Sequence, residues 1–450
     1  MDAINNIFKA YDVRGRVGSE LTADVAHKIG QAFANWLPTE GPVAVGRDMR
    51  PDSAELAAAA IEGIRAAGRD VQDIGEVTSD MIYFAVGSGK LAGGMMITAS
   101  HNPGEYNGIK LCREEARPVG EATGLYEIRD RIIAGKFQTA KQPGTVTQTD
   151  ITEAWIQHAL SFIDANKLKE LKIAVDAGNG MAGKIFPELE PYVPFEVTEL
   201  YFDLDGTFPN HIANPLEAKN LIDLQKAIQE HGCDAGVAFD GDGDRAVLLD
   251  ENGEPLSGTV LTALLAQYFL QQHPGETILL NAICGQAASE MVEKSGGTWV
   301  RTRVGHSFIK GNMREHNAVF AGEHSGHYYF RDNYCADSGL IAAVIGLYIL
   351  STSGKTLSEL VAPLRKAYLQ IPETNFEVAD KQGTIDRVAV AFPENEHETL
   401  DGLTIRFDDQ SWCNVRPSNT EPLLRLNAEA KTQARLDELV AHITKLINRV

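Results

Sequence analysis

The chain has 450 residues, 44% of them apolar and 23% charged, which predicts a soluble protein with more than one core. Acidic residues outnumber basic ones 62 to 41, a net charge of −21, so the surface as a whole repels nucleic acid and anionic membrane and any basic site has to be local. Five cysteines (Cys112, Cys233, Cys284, Cys335, Cys413) lie far apart with no paired metal or redox spacing, which predicts reduced thiols in a cytoplasmic protein. The opening MDAINNIFKAYDVRG lacks a basic start and an apolar centre, so no signal peptide is expected. The longest apolar stretch, Leu340 to Leu350, is well short of the roughly 20 residues that a membrane span requires.

In chain order, residues 42–77 (PVAVGRDMRPDSAELAAAAIEGIRAAGRDVQDIGEV) read as strand, polar loop, Ala-rich helix and second strand. The apolar run Gly93 to Ile97 predicts a buried strand that empties into Thr98-Ala99-Ser100-His101-Asn102-Pro103, a turn. Residues 138–149 (QTAKQPGTVTQT) are polar and without periodicity and read as a linker. The strand–loop–helix–strand plan returns at 171–200 and again at 277–304, each time implying parallel strands covered by helices. After Pro363 the strands come closer together, and residues 431–449 predict a final amphipathic helix. The fold class expected is α/β: three related strand–loop–helix–strand domains (1–143, 144–252, 253–368) and a smaller C-terminal α+β domain (369–450), around a central cleft.

Several loops between these elements carry chemistry. Asp240-Gly241-Asp242-Gly243-Asp244-Arg245 follows the apolar run 235–239. Carboxylates at alternate positions of a locally extended chain share one side, and the glycines let all three converge. Crowded carboxylates repel unless a cation neutralises them, and an all-oxygen set favours Mg²⁺ or Ca²⁺ over zinc. An EF-hand fits less well: Glu251 falls at its last position, but Arg245 stands where glycine is needed. The segment from Asp176 to Gly183 contains G-x-G-x-x-G after a strand, the best case for a dinucleotide-binding dehydrogenase, although tight strand-to-helix turns also require glycine. Arg416, Ser418, Asn419 and Thr420 offer donors and hydroxyls suited to a phosphate. Glu323 and Ser325, flanked by glycines in GEHSGH, suit the vicinal hydroxyls of a sugar. His324 and His327 in the same loop could bind zinc but lack further ligands nearby. Ser100 lies in no G-x-S-x-G elbow, and no P-loop is present. His101 is adjacent to it, and neighbouring side chains of an extended segment point apart, which argues against a Ser–His pair.

Together these motifs resemble the α-D-phosphohexomutases along the whole chain, and most closely the phosphomannomutase/phosphoglucomutase branch. Phosphoglucosamine mutases, the alternative, more often have Gly at the position of Asn419. The resemblance implies that Ser100 is carried as a phosphoserine and that Asp240, Asp242, Asp244 and the Ser100 phosphate bind Mg²⁺. It implies that Glu323, Ser325 and His327 hold the sugar, and that Arg416, Ser418, Asn419 and Thr420 hold the non-reacting phosphate. Arg14 and Lys110 resemble basic residues facing the reacting phosphate. Arg245 and His306 resemble residues that contact substrate and assist proton transfer, with Tyr11 and His101 completing the set. The activity implied is exchange between mannose 1- and 6-phosphates, and the glucose phosphates too, through a hexose 1,6-bisphosphate that also serves as activator. Hexose phosphates are the partners expected, with no nucleic acid and no membrane, for a monomer or weak dimer. One departure stands out: Ile283 precedes Cys284 where some members have a lysine that contacts the sugar. A protein that binds sugar phosphate without catalysis is the remaining alternative.

Overall fold

Strand–helix–strand units build three of the four sheets, in a computed structural model that describes residues 2–418 and 423–449. The first sheet runs Val13–Arg16, Tyr106–Arg113, Gly93–Ile97, Val43–Arg47, Val71–Glu76 and Val146–Gln148, with Arg117–Pro118 beside the second of these. Val43–Arg47 pairs in parallel with both its neighbours and is the centre of the sheet. Its small and β-branched residues are buried, as a strand covered on both faces requires. The last strand corrects the sequence reading: Val146–Gln148 falls in the stretch expected to be linker, yet it pairs in parallel with Val71–Glu76 at the sheet edge. Its three side chains are exposed, so it adds no apolar pattern for the sequence to betray.

In the second sheet Leu171–Asp176 is parallel to Phe195–Leu200 and Ala235–Phe239, and Ala246–Asp250 closes it as an antiparallel hairpin strand. In the third, Thr277–Asn281 is parallel to Thr298–Thr302 and Phe320–Gly322, and Tyr328–Phe330 and Ala336–Asp337 follow antiparallel. The fourth sheet, built from strands between Leu369 and Ala430, is antiparallel throughout and carries the helices Lys381–Val390 and Gln433–Ile447. Leu436, Leu439, Ile443 and Leu446 bury one face of the last helix, the spacing of an amphipathic surface helix.

One apolar core runs through the first three units, from Met81 and Phe84 through Trp155 and Phe186 to Leu264 and Ile341. The fourth has a separate core that includes Ile405, Val415, Leu426 and Leu439. Helix Gly339–Ser353 is apolar all round because it lies inside the shared core, with Gly346 against Leu248 of the second sheet. Among the described residues no single helix is long and apolar enough to cross a membrane. All five cysteines are buried and free.

Candidate active site

Strand Gly93–Ile97 is buried throughout and delivers Ser100 to the floor of an interdomain cleft, where the serine is 3% exposed. Ser100 has φ +52°, in the left-handed region that L-residues seldom adopt. That conformation corrects the extended segment expected here. The chain turns at Ser100, and His101 Nδ1 comes to 3.1 Å from the serine Oγ instead of pointing away. The Oγ–H donates to Asp240 Oδ2 at 2.7 Å. Arg245 Nη2 stands 3.4 Å from the same oxygen and also contacts His101 Nδ1. Burial, then Arg245 and Arg14, pushes the His101 ring well below its ordinary pKa, so it is neutral.

The acidic loop is a tight turn, not the extended chain expected, with Gly243 at φ +73° and its N–H on the Asp240 carbonyl. It nonetheless brings oxygens of Asp240, Asp242 and Asp244 within 4.8 Å of one another. Lys110 Nζ lies 2.6 Å from Asp242 and 2.5 Å from Asp244, while Arg245 Nε donates to Asp240 at 3.0 Å. Burial raises Asp240 to about 7, opposed by Arg245 and reinforced by the other two carboxylates. Asp242 is also buried, but Lys110 and the Ser79 hydroxyl outweigh that and hold it far below the usual range. Asp242 Oδ1 and Asp244 Oδ1 are buried acceptors without a hydrogen-bond donor among the described residues. Two such oxygens beside a third carboxylate fit a hard divalent cation.

The glycines of Asp176 to Gly183 prove to be packing glycines. A Cβ on Gly180 would lie 2.8 Å from the Gly241 carbonyl oxygen, and one on Gly241 would lie 2.5 Å from that of Ser100. Met181 N–H donates to Gly241 O at 2.9 Å. The turn therefore presses the acidic loop against the serine loop, and the geometry favours this structural role over a dinucleotide site.

The cleft encloses about 710 Å³. Its wall includes Tyr11, Arg14, Ser100, His101, Lys110, Asp244, Arg245, His306, Glu323, Ser325 and His327, which the fold gathers from three domains. Tyr11 O–H donates to the Val304 carbonyl at 3.1 Å, linking the first and third domains. Arg14 is fixed by Asp12 at 2.8 Å and by the Ala99 carbonyl at 2.9 Å. Glu323 accepts from Tyr329 O–H at 2.5 Å, from Asn281 at 3.2 Å and from Gly305 N–H at 3.2 Å, so its carboxylate is locked in place. His306 Nδ1 is buried without a hydrogen-bond partner among the described residues, and burial with the Lys310 charge pushes the ring well below its ordinary pKa. Arg245 and His327 face each other in a β-bridge that joins the acidic loop to the loop of Glu323 and Ser325. His327 Nδ1 is 3.0 Å from Asp337 and His324 Nδ1 is 3.2 Å from Thr259, so separate partners hold the two histidines and no shared zinc site forms. Asp244, His327 and Asp337 form a second possible cation group, but the fully buried Lys310 ammonium already sits 2.7 Å from Asp337.

In the fourth domain two residues of the expected phosphate loop, Arg416 and Ser418, lie among the described residues. Arg416 is buried and donates to Glu373 at 2.9 Å; it is not part of the cleft wall. Arg425 is, and it pairs in register with Arg416 on the next strand while donating to the other Glu373 oxygen at 2.9 Å. Burial would raise the Glu373 carboxyl, but the two guanidinium groups prevail and lower it. Ser418 is buried, its N–H bonded to Leu423 O at 2.8 Å, and Asn419 and Thr420 lie outside the described residues. Sequence reasoning missed Arg425, Asp337 and Ser79, whose Oγ donates to Asp242 at 2.5 Å. Only the alternation that sets Arg425 opposite Arg416 could have signalled any of them.

Four family profiles match in order: phosphoglucomutase/phosphomannomutase alpha/beta/alpha domains I (residues 5–139), II (153–253) and III (257–368), and the C-terminal domain (373–446). The chain belongs to the phosphoglucomutase/phosphomannomutase family. As a member it is an enzyme, an isomerase of the phosphohexomutase type. It is 43% identical to a protein described as phosphohexose mutases from Xanthomonas campestris pv. campestris (strain B100), over 96% of each chain. A phosphomannomutase from Salmonella montevideo is 39% identical over 99% of this chain and 100% of its own. A crystal structure of a phosphoglucomutase/phosphomannomutase family protein from Burkholderia thailandensis superposes with a TM-score of 0.90 at 33% identity, covering 98% of this chain and 97% of that one. In this phosphohexomutase the acidic loop, the loop from Glu323 to His327 and the serine turn all face one cleft.

Proposed function

We propose that the enzyme interconverts mannose 1-phosphate and mannose 6-phosphate, and the corresponding glucose phosphates, with Ser100 as phosphoryl carrier. The observation that carries this reading is the Ser100 hydroxyl, aimed at Asp240 across 2.7 Å and facing a cleft rimmed by Arg14, Lys110 and Arg245. Phosphoryl transfer needs positioning and charge neutralisation more than covalent assistance, and this arrangement offers both. Asp240, Asp242 and Asp244 would hold Mg²⁺, which supplies charge neutralisation for the transferring phosphoryl group.

In the first half-reaction the Oγ–P bond of phosphoserine breaks as a bond forms from phosphorus to the free O6 of a hexose 1-phosphate. The O6 proton passes to His306, whose neutral ring suits a base, and Arg245, 3.4 Å from Oγ, steadies the charge on the departing serine oxygen. The 1,6-bisphosphate then turns end over end, and the second half-reaction is the first in reverse, returning phosphate to Ser100 and releasing hexose 6-phosphate. Glu323 and Ser325 grip two adjacent hydroxyls in either orientation. Arg425, with Arg416 behind it and Ser418, Asn419 and Thr420 nearby in sequence, serves the phosphate that is not reacting.

The test is a ³¹P NMR time course with Mg²⁺, catalytic glucose 1,6-bisphosphate, and mannose, glucose and glucosamine 1-phosphates supplied separately. Growth of a 6-phosphate signal from mannose and glucose is the expected result. Exclusive turnover of glucosamine 1-phosphate would replace this reading with a phosphoglucosamine mutase, and conversion of none would leave a binding protein.

A further inference from the structure

Arg50 belongs to none of the motifs above, is 2% exposed, and is absent from the cleft wall. Its guanidinium nevertheless donates to four main-chain carbonyls of the turn that carries the reactive serine. Nη2 reaches Ser100 O at 2.8 Å and Asn102 O at 2.6 Å, and Nη1 reaches Pro103 O and Tyr106 O at 2.9 Å each. Asp48 balances the charge 3.2 Å from Nε and is itself held by the Arg50 N–H and by Ser53 Oγ at 2.5 Å. The second domain closes over the group: the Phe208 ring centroid is 5.2 Å from the guanidinium carbon, and Gly206 packs on the Arg50 backbone.

A non-glycine residue stays in the left-handed region only where its surroundings over-determine it. Ser100 is such a residue: a planar fork holds its carbonyl and three that follow it, while Thr98 Oγ1 accepts the Ser100 N–H at 2.9 Å and Arg14 holds the Ala99 carbonyl before it. Burying a guanidinium is costly, and here the gain is that four carbonyls of the serine turn cannot move independently. Lysine, with one rotatable ammonium, has no equivalent fork.

We propose that Arg50 is a positioning residue for phosphoryl transfer: it sets the reach and direction of Ser100 without touching substrate. The proposal rests on the reading of Ser100 as phosphoryl carrier. Its test compares full-length wild type, Arg50→Lys and Arg50→Ala, each checked for folding by circular dichroism. Phosphoryl uptake from glucose 1,6-bisphosphate is followed by intact-protein mass, with kcat and KM measured alongside. Misplacing the nucleophile by about 1 Å should lower kcat of Arg50→Lys by about 100-fold. KM should move less than about threefold, because no substrate contact is lost. Added guanidinium should restore part of the rate to Arg50→Ala. A folded Arg50→Lys with kcat within about threefold of wild type overturns the proposal, as does a loss expressed wholly in KM. Absence of uptake by the wild type would instead overturn the Ser100 reading, and this inference with it. Should both Arg50 variants fail to fold, Phe208→Ala decides: uncovering the guanidinium should lower kcat several-fold at constant KM, and an unchanged kcat overturns the proposal.

Discussion

Ser100 and Asp240 stand in different domains, and the serine Oγ–H donates to the carboxylate across 2.7 Å. The bond aims the hydroxyl into the acidic group and supports a carboxylate that burial alone would keep protonated. Ser100→Ala removes one buried oxygen and little volume, so the fold should persist while phosphoryl exchange disappears. Melting curves and isotope exchange between hexose phosphates measure the two halves separately; exchange at the wild-type rate would reject Ser100 as the carrier.

Lys110 neutralises Asp242 and Asp244 from 2.6 and 2.5 Å at the buried end of the cleft wall. Lys110→Met leaves both buried carboxylates without their ammonium partner, Asp242 keeping only the Ser79 hydroxyl, which should destabilise the protein by about 3–5 kcal/mol. Mg²⁺ should recover more of that loss in the variant than it adds to wild type, because it takes over the neutralisation. The measurement is the rise in Tm on adding Mg²⁺. An equal rise in both proteins would remove the cation from this loop.

Asp80 is buried between Thr78 and Ser338 Oγ, the latter at 2.5 Å, and burial raises it from 3.8 to about 8. Between those values the folded protein holds a proton that the unfolded chain has released, so this group's contribution to stability declines as pH climbs. Below 3.8 the contribution is complete, and above about 8 the decline stops. Asp80→Asn cannot titrate. Relative to wild type it should therefore melt progressively higher as pH rises through this window, and a pH-independent difference in Tm would contradict the assignment.

Arg416 and Arg425 share one carboxylate, Glu373, each at 2.9 Å. Only Arg425 reaches the cleft. Losing a charge-assisted contact to phosphate should raise KM of Arg425→Ala by about tenfold or more with a smaller change in kcat. Arg416→Ala should raise KM less, through Glu373 left with Arg425 and Asn427 as its partners. Steady-state kinetics on both variants checks the order, and a larger KM effect at Arg416 would return the phosphate contact to that residue.

The three strand–helix–strand units were legible because a buried parallel strand writes a continuous apolar run, as Val43–Arg47 and Ala235–Phe239 do. The edge strand Val146–Gln148 is exposed on every side chain and wrote nothing. Asp240, Asp242 and Asp244 were legible because three carboxylates in five residues need a reason. The pairing of Ser100 with His101 was read the wrong way, because it depends on one backbone dihedral that the tertiary surroundings impose. Arg425, Asp337 and Ser79 act through partners distant in sequence, and Arg50 through carbonyls that every residue possesses. Nothing local distinguishes such residues from ordinary surface polar groups.

One apolar core is shared by the first three domains, whereas the fourth keeps its own and meets the third through polar contacts such as Gln286 N–H on Glu429 and Val304 N–H on Asp401. The first three domains thus hold the serine turn, the acidic loop and the loop of Glu323 in mutual register, and the fourth is joined to them less firmly. Polar contacts exchange readily with water while a shared core does not, so on the mechanism proposed above the fourth domain is the one able to make room for a bisphosphate to turn. On that mechanism Ser100 and Asp240 keep their places while the fourth domain moves.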